Sequence, residues 1–144
     1  MEPETNSSSS SSSRTASLRD IALSGAVALV LSLAINWLIV FGANTGGIAP
    51  SLMALNYGPV SLFTTLGVVG AAVTYGILTR VTDNPDRLFA AVAAVVLLVS
   101  LVPDFTVIPS EPGGSLVSGT ILGAMHVITA VICVGVLTDR WNRR

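Results

Sequence analysis

The chain has 144 residues, of which 51% are hydrophobic and 10% are charged, and its formal net charge at pH 7 is -1. Soluble domains carry about 25% charged residues, so this composition excludes an ordinary water-soluble globule. Lys and Arg together number 7 against 8 Asp and Glu, and this balance supplies no basic surface for phosphates, which excludes nucleic acid as a partner. The single cysteine, Cys133, excludes a disulfide within these residues.

The first part of the chain, residues 1–17, is a polar head with an unbroken serine run at 7–13. Such a composition cannot bury enough apolar surface to offset chain entropy, so we expect a disordered cytoplasmic tail. A cleaved secretory signal is the alternative. The apolar stretch that follows is, however, longer than the roughly 7 to 15 residues of a signal peptide and has no clear A-x-A cleavage site.

The remainder, residues 18–140, contains four apolar stretches that approach or exceed the roughly 20 residues needed to cross a bilayer. None of the four contains Asp, Glu, Lys or Arg, as expected where a charged side chain costs about 2.5 kcal/mol or more. The sequence therefore predicts an all-α membrane protein with four transmembrane helices in an antiparallel bundle. The predicted spans are residues 21–43, 60–79, 88–103 and 116–138. The third is the shortest, and it either sits upright or draws its last turn from residues 105–109.

The arginines predict the orientation of these spans, because basic residues are retained on the cytoplasmic side. The connections 44–59 and 104–115 contain none, whereas the two ends of the chain, including the short basic tail 141–144, and the connection between the second and third spans contain all of them. We therefore expect a protein of the cell membrane with both termini cytoplasmic. The arginines are Arg14, Arg19, Arg80, Arg87, Arg140, Arg143 and Arg144.

The three connections differ in character. The first outer connection is uncharged and rich in Gly and Pro, and we expect a short interfacial helix around residues 50–56, with a re-entrant segment as the alternative. The inner connection predicts a tight turn in which Asp83 or Asn84 ends one helix and Pro85 opens the next. The second outer connection, with three prolines and a Gly pair, predicts an extended excursion.

Small and polar residues at helical spacing indicate which faces pack together, because helices in lipid associate through close packing and hydrogen bonds. In addition, Asn36, Asp104 and His126 fall at comparable depths and form a candidate polar cluster. The predicted packing residues are Ser24, Ala28 and Ser32 in the first span, Gly67 and Ala71 in the second, and Gly119 and Gly123 in the fourth.

Two interpretations of Asn36, Asp104 and His126 stay open at this point. They can act as hydrogen-bonding contacts between helices, or they can form a polar pocket that binds a ligand or relays protons. One histidine makes a poor metal site, so we expect no metal and no cofactor. Ser100 could join His126 and Asp104 in hydrolysis, but no nucleophile elbow accompanies them, and we assign no catalytic residue.

Three segments also carry a family resemblance: Leu-Leu-Val-Ser-Leu-Val-Pro-Asp at 97–104, Ala-Met-His-Val at 124–127, and Asn36 late in the first span. With these segments the chain resembles a group of small bacterial and archaeal four-helix integral membrane proteins catalogued only as a domain of unknown function. The resemblance covers residues 18–139. It implies the four-span architecture and interest in Asn36, Asp104 and His126, and it supplies no activity.

Three functions follow, in order of preference. The first is a non-enzymatic structural or accessory subunit that associates with itself or with another membrane protein, because too little of the chain lies outside the spans for a catalytic domain. The second is a small homo-oligomeric transport or permeation module. The third is an enzyme or cofactor-binding protein of the outer face. In the transport or permeation module, the path would be lined by Asn36, Thr64, Thr65, Thr74, Ser100 and His126.

Overall fold

The computed structural model describes residues 17–138, and within them it contains helices and turns but no strand. The predictions for residues 1–16 and 139–144, including Arg14 and the C-terminal arginines, lie outside the described residues. The four long helices are α1 (Leu18–Thr45), α2 (Tyr57–Val81), α3 (Pro85–Thr106) and α4 (Leu116–Leu137), and two short 3-10 turns lie at Met53–Leu55 and Ile108–Ser110.

All four helices are long and apolar enough to cross a membrane, which confirms the predicted fold class. Their most apolar windows have mean hydropathy values from 1.7 for α2 to 2.4 for the α3 segment, which extends to Ser110. Helices of 22 residues or more rise about 33 Å or more, enough for a hydrocarbon core of about 30 Å.

Two clusters of buried side chains show that neighbouring helices run antiparallel. One cluster joins Ile21 at the start of α1 to Tyr75 near the end of α2, Phe89 near the start of α3 and Leu137 at the end of α4. The other lies at the opposite end of the bundle, where the end of α1 meets the start of α2 and the first half of α4. We call these two ends the inner and outer ends. The second cluster contains Val40, Ala43, Leu52, Leu55, Val60, Leu122 and Met125.

The buried stripe of α1 follows the predicted small-residue spacing with one shift. Ala28 and Ser32 are fully buried, but Ser24 is only half-buried. The neighbouring Gly25 occupies the contact instead, and a Cβ at Gly25 would lie 3.2 Å from Cβ of Ala72 in α2. The missing side chain at Gly25 therefore sets how closely α1 and α2 approach.

The prediction for Gly67 is wrong. Gly67 is exposed, and a Cβ placed on it would meet nothing within 4 Å. The buried positions of this part of α2 are Thr64 and Val68, one helical turn apart, and Ala71 is half-buried at the edge of the inner cluster. A difference of one residue rotates the contact face by about 100°, since a helix has 3.6 residues per turn.

In the inner connection α3 opens at Pro85 after Asn84, as predicted. The helix α2, however, ends at Val81 with Thr82 as its cap, and not at Asp83 or Asn84 as expected. The extended excursion predicted after residue 103 is wrong, because α3 runs to Thr106 and a 3-10 turn follows at Ile108–Ser110. The helix continues through Pro103 to Thr106, where the Val107 N–H bonds to the Pro103 carbonyl at 2.9 Å. Proline removes one backbone bond to the preceding turn, but its own carbonyl still accepts from the next one, so the helix survives.

The first outer connection is a folded cap. In place of a helix over residues 50–56 it contains the 3-10 turn Met53–Leu55. Leu52 and Leu55 are buried against the outer cluster. Gly113 of the other outer connection has a φ of +79°. Its lack of a side chain lets the first outer connection come close, since a Cβ at Gly113 would collide with the Ser51 side chain. The two outer connections thus close over the same end of the bundle.

Candidate functional site

The polar contact between α3 and α4 is made by Asp104 and His126. Nδ1 of His126 lies 2.9 Å from Oδ2 of Asp104. Asp104 is buried, with 4% of its surface exposed, whereas 40% of the His126 side chain is exposed. The pair therefore joins a buried carboxyl group of α3 to a half-exposed imidazole of α4.

Two glycines of α4 allow the α3 backbone to come close enough for this contact. A Cβ on Gly119 would collide with the backbone carbonyl oxygen of Asp104. A Cβ on Gly123 would lie 3.1 Å from the Leu101 side chain and 3.6 Å from the Phe105 ring. Both glycines are buried. The spacing of four residues therefore clears one face of α4 for the last turns of α3.

The hydrogen bonds of the imidazole indicate its tautomer. Nδ1 of His126 also lies 3.0 Å from the Leu122 carbonyl oxygen, which can only accept. Because both neighbours of Nδ1 are oxygen acceptors when Asp104 is ionised, the hydrogen sits on Nδ1 and is shared between them. Nε2 makes no hydrogen bond to residues 17–138. With the hydrogen on Nδ1, Nε2 is the ring atom that can accept a hydrogen bond from a group outside these residues.

Asn36 does not bond to this pair. Its Nδ2 donates to Oγ1 of Thr64 in α2 at 3.0 Å and to Oγ1 of Thr129 in α4 at 3.2 Å. Asn36 and Thr64 are both buried, and the amide ties three helices together. Thr129 follows His126 by three residues, so the two lie on the same face of α4, one turn apart.

The depth of the two polar groups follows from the helix rise of about 1.5 Å per residue. Asn36 lies about 14 Å from the end of α1 at Thr45, and His126 lies about 15 Å from the start of α4 at Leu116. In a hydrocarbon core of about 30 Å these positions are close to the midplane. Asp104 comes near the last turn of α3 yet reaches His126, because side chains on α4 point towards its N-terminus and hence towards the outer end.

The donor set limits the chemistry of this site. Within residues 17–138 no group of three or more His, Cys, Asp and Glu side chains is positioned to hold a metal ion. Ser100 makes no hydrogen bond to His126 or Asp104 within the same residues. What the geometry offers is an acid and a base that share one hydrogen bond, next to a neutral amide and two hydroxyls.

Sequence reasoning named Asn36, Asp104 and His126 but missed Thr129. The signal was available, since Thr129 stands one turn from His126 on the same helix face. What the sequence lacked was the rotation of α1, which decides whether the Asn36 amide points at His126 or at the turn next to it.

A protein-family model, described as "Family of unknown function (DUF6069)", matches residues 14–143. The chain belongs to this family. The match spans all four helices and both polar groups and assigns no activity to them. No curated protein and no solved structure matches the chain.

Proposed function

We propose that this member of the family is a non-enzymatic subunit of the cell membrane that pairs with a second copy of itself through α3. The observation that carries this proposal is the unequal burial of the four helices. Within their most apolar windows, 28% of the residues of α1, α2 and α4 are buried inside the bundle, against 11% for the segment of α3. An equally apolar helix with less than half the burial leaves a large face for a neighbour.

The free face of α3 has a shape that suits another helix. A shallow groove of about 250 Å³ is lined by Ala91, Val92, Val95 and Val96. Small and β-branched side chains keep a helix surface low and stiff, and helices in lipid associate by fitting such surfaces together. The same patch on two copies would form a two-fold interface in which each Val95 packs beside the groove of the other copy.

The polar residues support a structural role for the bundle itself. Asn36, Asp104 and His126 each bond to a neighbouring helix, and Trp37 Nε1 donates to Ser61 Oγ at 2.9 Å between α1 and α2. Hydrogen bonds of this kind stabilise helix association in lipid by about 0.6 to 2 kcal/mol each. Every helix is thereby attached to at least one other by a side-chain bond.

The proposed orientation places the inner end in the cytoplasm. The arginines of the described residues support it, because Arg19 lies in the first turn of α1, Arg80 in the last turn of α2 and Arg87 in the first turn of α3. These three turns share one end of the bundle. The outer connections contain no basic residue. This distribution matches the positive-inside rule.

Substitution of Val95 by Trp tests the α3 interface. The indole would fill the groove and hold a second copy away, so we expect Val95→Trp to abolish the energy transfer between donor- and acceptor-labelled copies in liposomes. Val30→Trp is the matched control, because Val30 is 66% exposed on α1, and it should leave the transfer unchanged. A wild-type protein that shows no transfer at any protein-to-lipid ratio, or equal loss in both variants, contradicts the proposal.

The Asp104–His126 pair favours a second candidate function, a proton-dependent permeation module. An ionisable pair inside a membrane span is costly and is commonly part of a proton or ion path. In this case purified protein in liposomes should collapse an imposed pH gradient, and both His126→Gln and Asp104→Asn should remove that activity while the protein stays folded. Liposomes that hold their gradient with the wild-type protein would exclude this function.

A further inference from the structure

Two polar side chains in the middle of α1 are buried with unbonded oxygen atoms. Oγ of Ser32 and Oδ1 of Asn36 have no hydrogen-bond partner among residues 17–138, and the two residues are 0% and 2% exposed. A buried oxygen without a partner costs about 1 to 3 kcal/mol, and native proteins contain few of them. Two such atoms on one helix point to a ligand that bonds to both.

The spacing of the two residues defines the size of that ligand. Ser32 precedes Asn36 by four residues, so both lie on one face of α1 with their Cβ atoms about 5 to 6 Å apart. Polar atoms on two such neighbouring side chains are within reach of one small molecule that makes hydrogen bonds of about 2.8 Å. The Asn36 amide still lacks a hydrogen-bond partner if its nitrogen and oxygen are exchanged. In either orientation one amide atom contacts Thr64 and Thr129 and the other is unbonded.

Thr64 and Thr129 provide further hydrogen-bond donors beside the Asn36 amide. Other hydroxyls in these helices, such as those of Thr65 and Thr120, donate to a carbonyl of the preceding turn at 2.7 and 2.8 Å. Thr64 and Thr129 make no such bond within the described residues and only accept from Asn36. Their hydroxyl hydrogens are therefore available to a ligand beside the amide.

We propose that Ser32 and Asn36 bind one internal water molecule between α1, α2 and α4. Water fits because it donates to the amide oxygen and accepts from a hydroxyl at the same time, and internal waters make about three hydrogen bonds. No carboxylate bonds to Asn36, Thr64 or Thr129, so the site has the neutral character that suits water. A water at this place does not depend on the pairing of two copies through α3.

Water-edited solid-state NMR of the full chain in lipid bilayers, labelled with ¹⁵N-asparagine, tests the proposal. The Asn36 side-chain signal is assigned by its disappearance in Asn36→Leu. We expect it to gain magnetisation from water at a rate close to that of Asn56, which is exposed in the outer connection, and Ser32→Ala should slow this transfer several-fold. An Asn36 signal that stays unpolarised when the Asn56 signal has saturated overturns the proposal.

Thermal unfolding in detergent gives a second, independent readout. A shared water couples the two residues, so the Tm loss of Ser32→Ala combined with Asn36→Leu should be smaller than the sum of the single losses. Ser24→Ala is the additive control when combined with Asn36→Leu, because Ser24 lies more than three helical turns from Asn36. If Ser32→Ala raises Tm, the Ser32 hydroxyl has no hydrogen-bond partner in the native state, which refutes the water site.

Discussion

His126 and Asp104 join the middle of α4 to the last turns of α3 through a contact of 2.9 Å between Nδ1 and Oδ2. Asp104 is one of two buried residues of α3, and the other, Phe89, lies near the opposite end of the helix with its ring 5.3 Å from that of Tyr75. The helix with the least burial therefore has one buried side chain near each end. At the outer end the polar contact adds to the packing of Leu101 and Phe105 against Gly123.

Replacing His126 should therefore loosen α3. We expect His126→Ala to lower the free energy of unfolding by about 1 to 2 kcal/mol, because it leaves the buried Asp104 carboxyl without its side-chain partner. Val127→Ala, at a 40% exposed position of the same helix, should lower it by less. Steric-trapping measurements in bicelles would compare the two variants, and equal losses would mean that the pair does not stabilise the bundle.

Gly119→Ala should lower the free energy of unfolding by more than the addition of a single methyl group suggests. The added methyl collides with the Asp104 carbonyl, so α3 and α4 must separate, at a cost of about 1 to 3 kcal/mol. Gly67→Ala meets nothing within 4 Å and should be neutral or stabilising by up to about 1 kcal/mol, since alanine favours the helix. Unfolding of both variants in the same bicelles tests this difference, and a larger loss of stability for Gly67→Ala would contradict the close approach of α3 to Gly119.

Thr129→Val should remove one of the two bonds made by the Asn36 amide while keeping the shape of the side chain. We expect a loss of about 0.5 to 1.5 kcal/mol. Thr120→Val is the control, because Thr120 is exposed and bonds only to its own helix at Leu116. Unfolding free energies measured in parallel would decide the point. If Thr129→Val leaves the free energy of unfolding unchanged and Thr120→Val lowers it, Thr129 does not form the stabilising polar contact of α4 with Asn36.

Gly113→Ala should open the outer cap without affecting the inner end. The substitution strains a backbone at φ +79° and forces the new methyl against Ser51. Hydrogen exchange should rise at Leu52 and Leu55 and stay unchanged at Phe89, which belongs to the inner cluster. Gly58→Ala, with nothing within 4 Å of the added methyl, is the control. Uniform acceleration along the whole chain would indicate global destabilisation instead.

Much of the architecture follows from the sequence alone. Four uncharged apolar stretches of sufficient length admit only helices in a membrane, because every backbone polar group must be bonded within its own segment. The position of Pro85 likewise predicts where α3 begins, since proline is tolerated in the first turn of a helix. Asn36, Asp104 and His126 stand out because polar side chains are scarce in such stretches.

The sequence by itself determined that helices form and which residues are unusual in them, since both follow from local chemistry along the chain. Only the tertiary structure decided the pairings. The rotation of α1 and α2 placed Asn36 against Thr64 and Thr129 and turned Gly67 outwards. The continuation of α3 through Pro103, together with the bare backbone of Gly119, brought Asp104 to His126. Helix rotation and helix approach depend on the packing of all four helices at once, and no single stretch of sequence contains that information.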